Sequence, residues 1–155
     1  FSKYYCMNGW RVGWLIVPQR LVRTIERLQQ NFSISVPYLS QVAGEAAFDA
    51  TEECEAIKAG YAANRAFLLE ALPQIGLGDF LTVDGAFYIY LDIGRHSNDS
   101  MSFCRDALEK AGVAITPGLD FDEGRGARTV RLSFAGSLAE CEEAVARLGG
   151  WLGAR

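Results

Sequence analysis

Residues 12–17 (VGWLIV) form an unbroken apolar run that stops at Pro18. The run has the length of a strand, and without polar alternation it reads as one covered on both faces. Such a strand belongs inside a parallel sheet, which needs several members. Nothing else in residues 1–50 has a strand pattern. The run is therefore expected to be a central strand whose neighbours lie upstream of residue 1. The chain opens on Phe1 instead of Met, which fits a trimmed tag or a piece of a longer protein.

The pattern after Pro18 is helical. Proline suits the first helical position, and Leu21, Ile25, Leu28 and Phe32 then recur on one stripe. Pro37 opens a second helix, whose small residues Ala43, Gly44, Ala46 and Ala47 allow close approach to another element. A long helix follows over residues 51–72, stopped by Pro73 and Gly76, with Ile57, Tyr61, Leu68 and Leu72 on one face. Residues 80–83 and 86–93 read as strands. In the second, Phe87, Ile89 and Leu91 alternate with Tyr88, Tyr90 and Asp92. Residues 97–111 form a helix with Cys104, Ala107, Leu108 and Ala111 inward, ended by Gly112. Strands are expected over 113–115 and 129–134, with a charged, glycine-rich loop between them. Ser137 and Glu140 form a capping box for a last helix carrying Cys141, Val145, Leu148 and Leu152. Residues 77–155 thus read as a β-β-α-β-β-α lobe.

Composition excludes several classes. Fifteen basic against 19 acidic residues give a net charge of -4, the wrong sign for a phosphate-backbone binder. No stretch is long and apolar enough for a membrane helix, so neither nucleic acid nor membrane is expected as a partner. Half the residues are hydrophobic, which excludes disorder. The apolar content is high for the chain length, which a covering partner surface and ordinary scatter explain equally well. Cys6, Cys54, Cys104 and Cys141 make no C-x-x-C pair and read as reduced thiols in a cytoplasmic protein. With His96 the single histidine, no metal site is expected.

Three residues are candidates for chemistry. Lys3 lies among aromatics with Arg11 as the nearby charge. Burial and a like charge both favour the neutral amine that condenses with carbonyls. A surface lysine near a chain end has the same sequence. Arg11, flanked by Gly9 and Gly13, can clamp a phosphate in a forked contact, or be an exposed loop arginine. Arg131 shares one face of its strand with Thr129 and Ser133, opposite Val130, Leu132 and Phe134. It has room either to receive a ligand carboxylate or to blunt an edge strand. Tyr88, Tyr90, His96 and the run Asp120-Phe121-Asp122-Glu123 are assigned no chemical role.

These segments together resemble the fold-type I pyridoxal-phosphate aminotransferases, the class I/II, aspartate aminotransferase-like group. FSKYYCMNGWRVGWLIVP is similar to that family's S-x-S-K…G-W-R-x-G-W signature, with Asn8 where threonine is commoner and the first serine falling before Phe1. ITPGLDF…RTVRLSFAGS is similar to its P-G-x-x-F…V-R-L-S-F-A segment. The resemblance implies that Lys3 is the Schiff-base lysine and catalytic acid–base, that Arg11 holds the cofactor phosphate, and that Arg131 binds the substrate α-carboxylate. Arg125 and Arg128 do not match that last position.

The resemblance also implies the fold: the C-terminal part of an α/β transferase. Residues 1–50 would be the end of a large cofactor-binding domain and 51–76 a long interdomain helix. Residues 77–155 would be a small α/β domain with a mostly antiparallel sheet. The implied activity is amino transfer between an amino acid and a 2-oxo acid by a cytoplasmic homodimer. The family's partner for the pyridine nitrogen and its glycine-rich phosphate turn precede the lysine. The 155 residues alone are therefore expected to be inactive. Two other readings share the pattern: the cofactor-sensing domain of a transcription regulator, marked by an upstream helix-turn-helix, and a non-catalytic interaction fragment. A lyase or synthase of the same fold is a variant within the enzyme class.

Overall fold

A computed structural model describes residues 1–153, so the last two residues of the expected 77–155 lobe lie outside the described residues. The chain divides into two compact units, Phe1–Lys58 and Ala59–Arg155.

The first unit begins with an irregular segment, broken by a 3-10 turn at Asn8–Trp10. It continues with α1 (Gln19–Phe32), α2 (Tyr38–Ala47) and the opening turns of α3 (Thr51–Gln74). Pro18 and Pro37 each stand at the N-cap with extended ψ, which fixes both helix starts. Gly44 of α2 lies against Phe1 and Val12: a Cβ there would meet the Phe1 ring at 3.7 Å and Val12 at 3.8 Å. The small residues of α2 thus seat the N-terminal segment, as their size predicts.

The expected strand at 12–17 does not form; those residues have no regular structure. A strand is made by its neighbours' hydrogen bonds, and no described segment pairs with this one. Trp14, Leu15 and Ile16 are exposed, Ile16 by 86%. The α1 stripe is likewise uncovered, with no buried residue and Phe32 exposed.

The second unit is built on an antiparallel sheet of three strands, β1 (Tyr88–Asp92), β2 (Thr116–Pro117) and β3 (Thr129–Ser133), in the order β1-β3-β2. Cross-strand pairs include Ile89 with Leu132, Tyr90 with Arg131 and Thr116 with Arg131. Ile89, Leu91, Val130, Leu132 and Phe134 bury one side of the sheet against Leu68 and Leu72 of α3, Phe103 and Leu148.

Two strand expectations are corrected. Residues 80–83 contribute a single bridge, Phe80 to Leu91. The strand placed at 113–115 pairs instead at Thr116–Pro117, where proline is tolerated because the strand is an edge.

Two helical segments of the second unit end at glycines with positive φ. α3 runs past Pro73 and stops at Gly76 (φ +82°). Leu77 N–H donates to Leu72 O at 3.0 Å and Gly76 N–H to Pro73 O at 3.1 Å, a Schellman closure with both leucines in the core. The helix expected at 97–111 starts later, as α4 (Ser100–Asp106), capped by Asp99, whose carboxylate accepts from Ser102 N–H at 3.0 Å. A π-helical turn, Ala107–Ala111, continues it to Gly112 (φ +68°). Cys104 and Ala107 are buried there, but Leu108 faces outward. In α5 (Leu138–Gly153) the capping box is formed: Glu140 N–H donates to Ser137 Oγ at 3.2 Å and Ser137 N–H to Glu140 Oε2 at 2.7 Å. Among the described residues, no helix is long and apolar enough to cross a membrane.

Candidate functional site

Lys3 and Arg11 lie on one loop of the first unit. Cys6 N–H donates to Lys3 O at 2.9 Å, folding residues 3–6 into a turn, and Trp10 N–H donates to Met7 O at 3.2 Å. Two non-glycine residues of this loop take left-handed backbone angles, Cys6 at φ +54° and Arg11 at φ +50°. Side-chain crowding makes that region unfavourable by about 1–2 kcal/mol per residue, and such outliers gather at functional loops.

Aromatic packing fixes the loop on both flanks of Lys3. Phe1 and Tyr5 stack at 5.1 Å between centroids, and both meet Phe48, at 5.4 and 5.7 Å. Tyr4 donates its hydroxyl to Glu55 Oε1 on α3 at 2.8 Å. That bond to a carboxylate favours the neutral phenol and pushes Tyr4 up to about 12. Glu55 in turn is held below the usual carboxylate range, first by its hydrogen bond with Lys58 and then by Tyr4. Lys3 is exposed, one residue from this anchor.

Arg11 is also exposed, and its Nη1 donates to Asn8 O at 2.9 Å. A Cβ built on Gly9 or Gly13 would meet nothing within 4 Å, so the space on either side of Arg11 is open. One loop therefore presents a primary amine and a forked cation beside open glycine backbone. This donor set suits a molecule carrying both an aldehyde and a phosphate.

Arg131 belongs to the second unit and sits at the middle of β3. Because β3 is the central strand, the edge-blunting role is excluded. Tyr90 and Thr116 are its direct neighbours on either side. Its guanidinium carbon lies 4.3 Å from the Phe121 ring centroid and 5.3 Å from that of Tyr88. Among the described residues no carboxylate pairs with it. The two arginines nearby in sequence differ: Arg128 is bound to Asp92 by Nη2 at 3.0 Å, and Arg125 lies 3.5 Å from Asp122. Burial works against the Asp92 charge. Hydrogen bonds from Gly94 N–H and Arg128 outweigh it and hold the carboxyl below its ordinary range. Among the described residues, Arg131 is thus the arginine of this strand and loop that forms no ion pair.

Neither Phe121 nor Tyr88 has a chemical role assigned from its residue type; Phe121 is the phenylalanine of the P-G-x-x-F segment, and the pairing of Tyr88 with Ser133 puts Tyr88 diagonal to Arg131. Tyr90 is a structural residue here: its hydroxyl lies 2.7 Å from Thr129 Oγ1. His96 is likewise taken up by the fold, with Nε2 2.9 Å from Gly76 O.

The model of the family "Aminotransferase class I and II" matches residues 1–148. A valine–pyruvate aminotransferase of Mycobacterium tuberculosis is 49% identical over 98% of this chain, and the match covers 40% of that protein. A crystal structure of an aminotransferase from the same organism matches with a TM-score of 0.95 at 48% identity, over 100% of this chain and 41% of its own. That of a putative aminotransferase from Silicibacter pomeroyi matches with a TM-score of 0.93 at 49% identity, over 99% of this chain and 41% of its own. The chain thus spans about two fifths of the length of these relatives. A lysine and an arginine on one loop, an arginine without an acid partner at mid-strand, and a family match running through all three positions agree: the chain belongs to the class I and II aminotransferases, which depend on pyridoxal phosphate.

Proposed function

We propose that the full-length protein is a cytoplasmic, homodimeric aminotransferase that moves an amino group between an amino acid and a 2-oxo acid. The observation that carries this reading is Arg131, which among the described residues forms no ion pair at the centre of the small sheet, in a chain whose Lys3 and Arg11 share one loop. The domain division at 1–50, 51–76 and 77–155 is part of the same proposal.

Pyridoxal phosphate, when bound, supplies the aldehyde and the electron-accepting ring. Lys3 Nζ would hold the cofactor and, as general base and then acid, would take the proton from the substrate α-carbon and later return one. Arg11, whose Nη1 now donates to Asn8 O, would hold the phosphate, which carries a charge of about -1.5 to -2 in monoesters at neutral pH. Arg131 orients the α-carboxylate common to amino acid and oxo acid, a contact of about 1.5–3 kcal/mol.

The identity to a valine–pyruvate aminotransferase makes valine with pyruvate the first pair to assay. In the full-length protein Lys3→Ala should abolish transfer. Arg131→Lys should raise KM for both substrates while cofactor absorbance is retained, because a point charge cannot reproduce the fork. An Arg131→Lys protein that loses cofactor while its substrate kinetics stay unchanged would contradict the roles given to Arg11 and Arg131.

A further inference from the structure

We infer that Phe121 and Tyr88 are positioning residues for Arg131: the two rings hold the guanidinium plane so that its N–H edge faces the substrate carboxylate. This rests on the carboxylate-binding reading of Arg131 given above.

The geometry has three parts. Phe121 and Tyr88 lie at 4.3 and 5.3 Å from the guanidinium carbon, within cation–π range, and both rings are partly exposed, by 52% and 37%. Rings left at the surface beside a cation that forms no ion pair among the described residues are placed for that cation.

The second part is how firmly Phe121 is held. Its loop is fastened to the start of β3, the strand that carries Arg131. A Cβ on Gly118 would strike Thr129 O at 2.6 Å, and one on Gly126 would strike Leu119 N at 2.6 Å. Phe121 N–H and Asp122 N–H both donate to Gly118 O at 2.9 Å, and Asp122 Oδ1 accepts from Gly124 N–H at 2.8 Å and Arg125 N–H at 3.0 Å. The ring is therefore presented by a rigid loop, while Tyr88 is fixed by the β1–β3 register.

The third part is chemical. An acid partner would orient Arg131 equally well but would neutralise it and occupy the fork. A π face attracts the cation without accepting its N–H bonds, so orientation is gained and the charge is kept for the ligand.

The test uses the full-length holoenzyme and the amino acid it turns over best, alongside that amino acid's decarboxylated amine (for valine, isobutylamine). Phe121→Leu keeps the bulk and removes the π face. It should raise KM for the amino acid and the oxo acid about 3- to 10-fold with kcat within about twofold. Turnover of the amine, which has no carboxylate, should be unchanged. Phe121→Tyr should behave as wild type, and Phe121→Leu should add nothing in an Arg131→Lys background. If Arg131→Lys raises KM and Phe121→Leu does not, the inference fails and the carboxylate reading stands. If Arg131→Lys affects amine and amino acid alike, the carboxylate reading itself fails, and the inference with it. A Phe121→Leu enzyme altered in kcat or cofactor content, with KM unmoved, also overturns the inference.

Discussion

At the scale of single residues, a side chain's role here follows from its partners. Three arginines lie within seven positions at residues 125–131, and the acids Asp122 and Asp92 engage two of them. The third, Arg131, faces the rings of Phe121 and Tyr88 instead, and that difference is the basis for proposing it as the binding group. Phe134 shows the same logic in the core: it closes the apolar side of β3 and is 2% exposed. Phe134→Ala should lower unfolding stability by about 3–5 kcal/mol, measured by denaturant titration. A loss below about 1 kcal/mol would mean that the surrounding core does not depend on this ring. The placement of Phe134, Val130 and Leu132 was legible in the alternation of β3, and the spacing of Lys3 and Arg11 was legible in the motif. The Phe121–Arg131 contact was not, because it depends on a loop folding back over its own strand.

At the scale of elements, local signals succeeded where the interaction is local. The Ser137–Glu140 box joins residues three apart, so the sequence contains the whole of it. Glu140 is held below its ordinary carboxylate range, first by the hydrogen bond from Ser137 N–H and then by the Ser137 hydroxyl. A depressed folded-state value stabilises the fold above the unfolded carboxylate pKa, and that support is lost as pH falls through the folded value. Carboxyl chemical shifts followed against pH should put Glu140 below an unperturbed glutamate, and Ser137→Ala, which removes the hydroxyl but keeps the N–H, should move it part of the way back up. An unchanged Glu140 titration in Ser137→Ala would contradict this assignment. Elements that depend on distant partners were read less well. The apolar run at 12–17 has strand composition and no strand structure, since its backbone has no described neighbour to pair with. The shift of β2 to Thr116–Pro117 reflects register with Arg131 and Val130, which no local pattern encodes.

At the scale of the whole molecule, the apolar residues without cover gather in the first unit: Trp14, Leu15, Ile16, Phe32, Tyr38 and Leu39 are all exposed. Surfaces of this kind drive association in water. The 155-residue polypeptide on its own should self-associate, with sedimentation velocity showing a weight-average mass that rises with concentration. A strict monomer at every concentration would contradict the argument.

The central claim is that Lys3 is the residue on which the chemistry turns. The chain has three lysines, Lys3, Lys58 and Lys110. Borohydride reduction of the full-length holoprotein fixes bound cofactor to whichever lysine holds it, and peptide mass mapping then locates it. The account predicts one pyridoxyl group, on Lys3, and none in Lys3→Ala. A label on Lys58, on Lys110 or on any lysine outside this chain would contradict it.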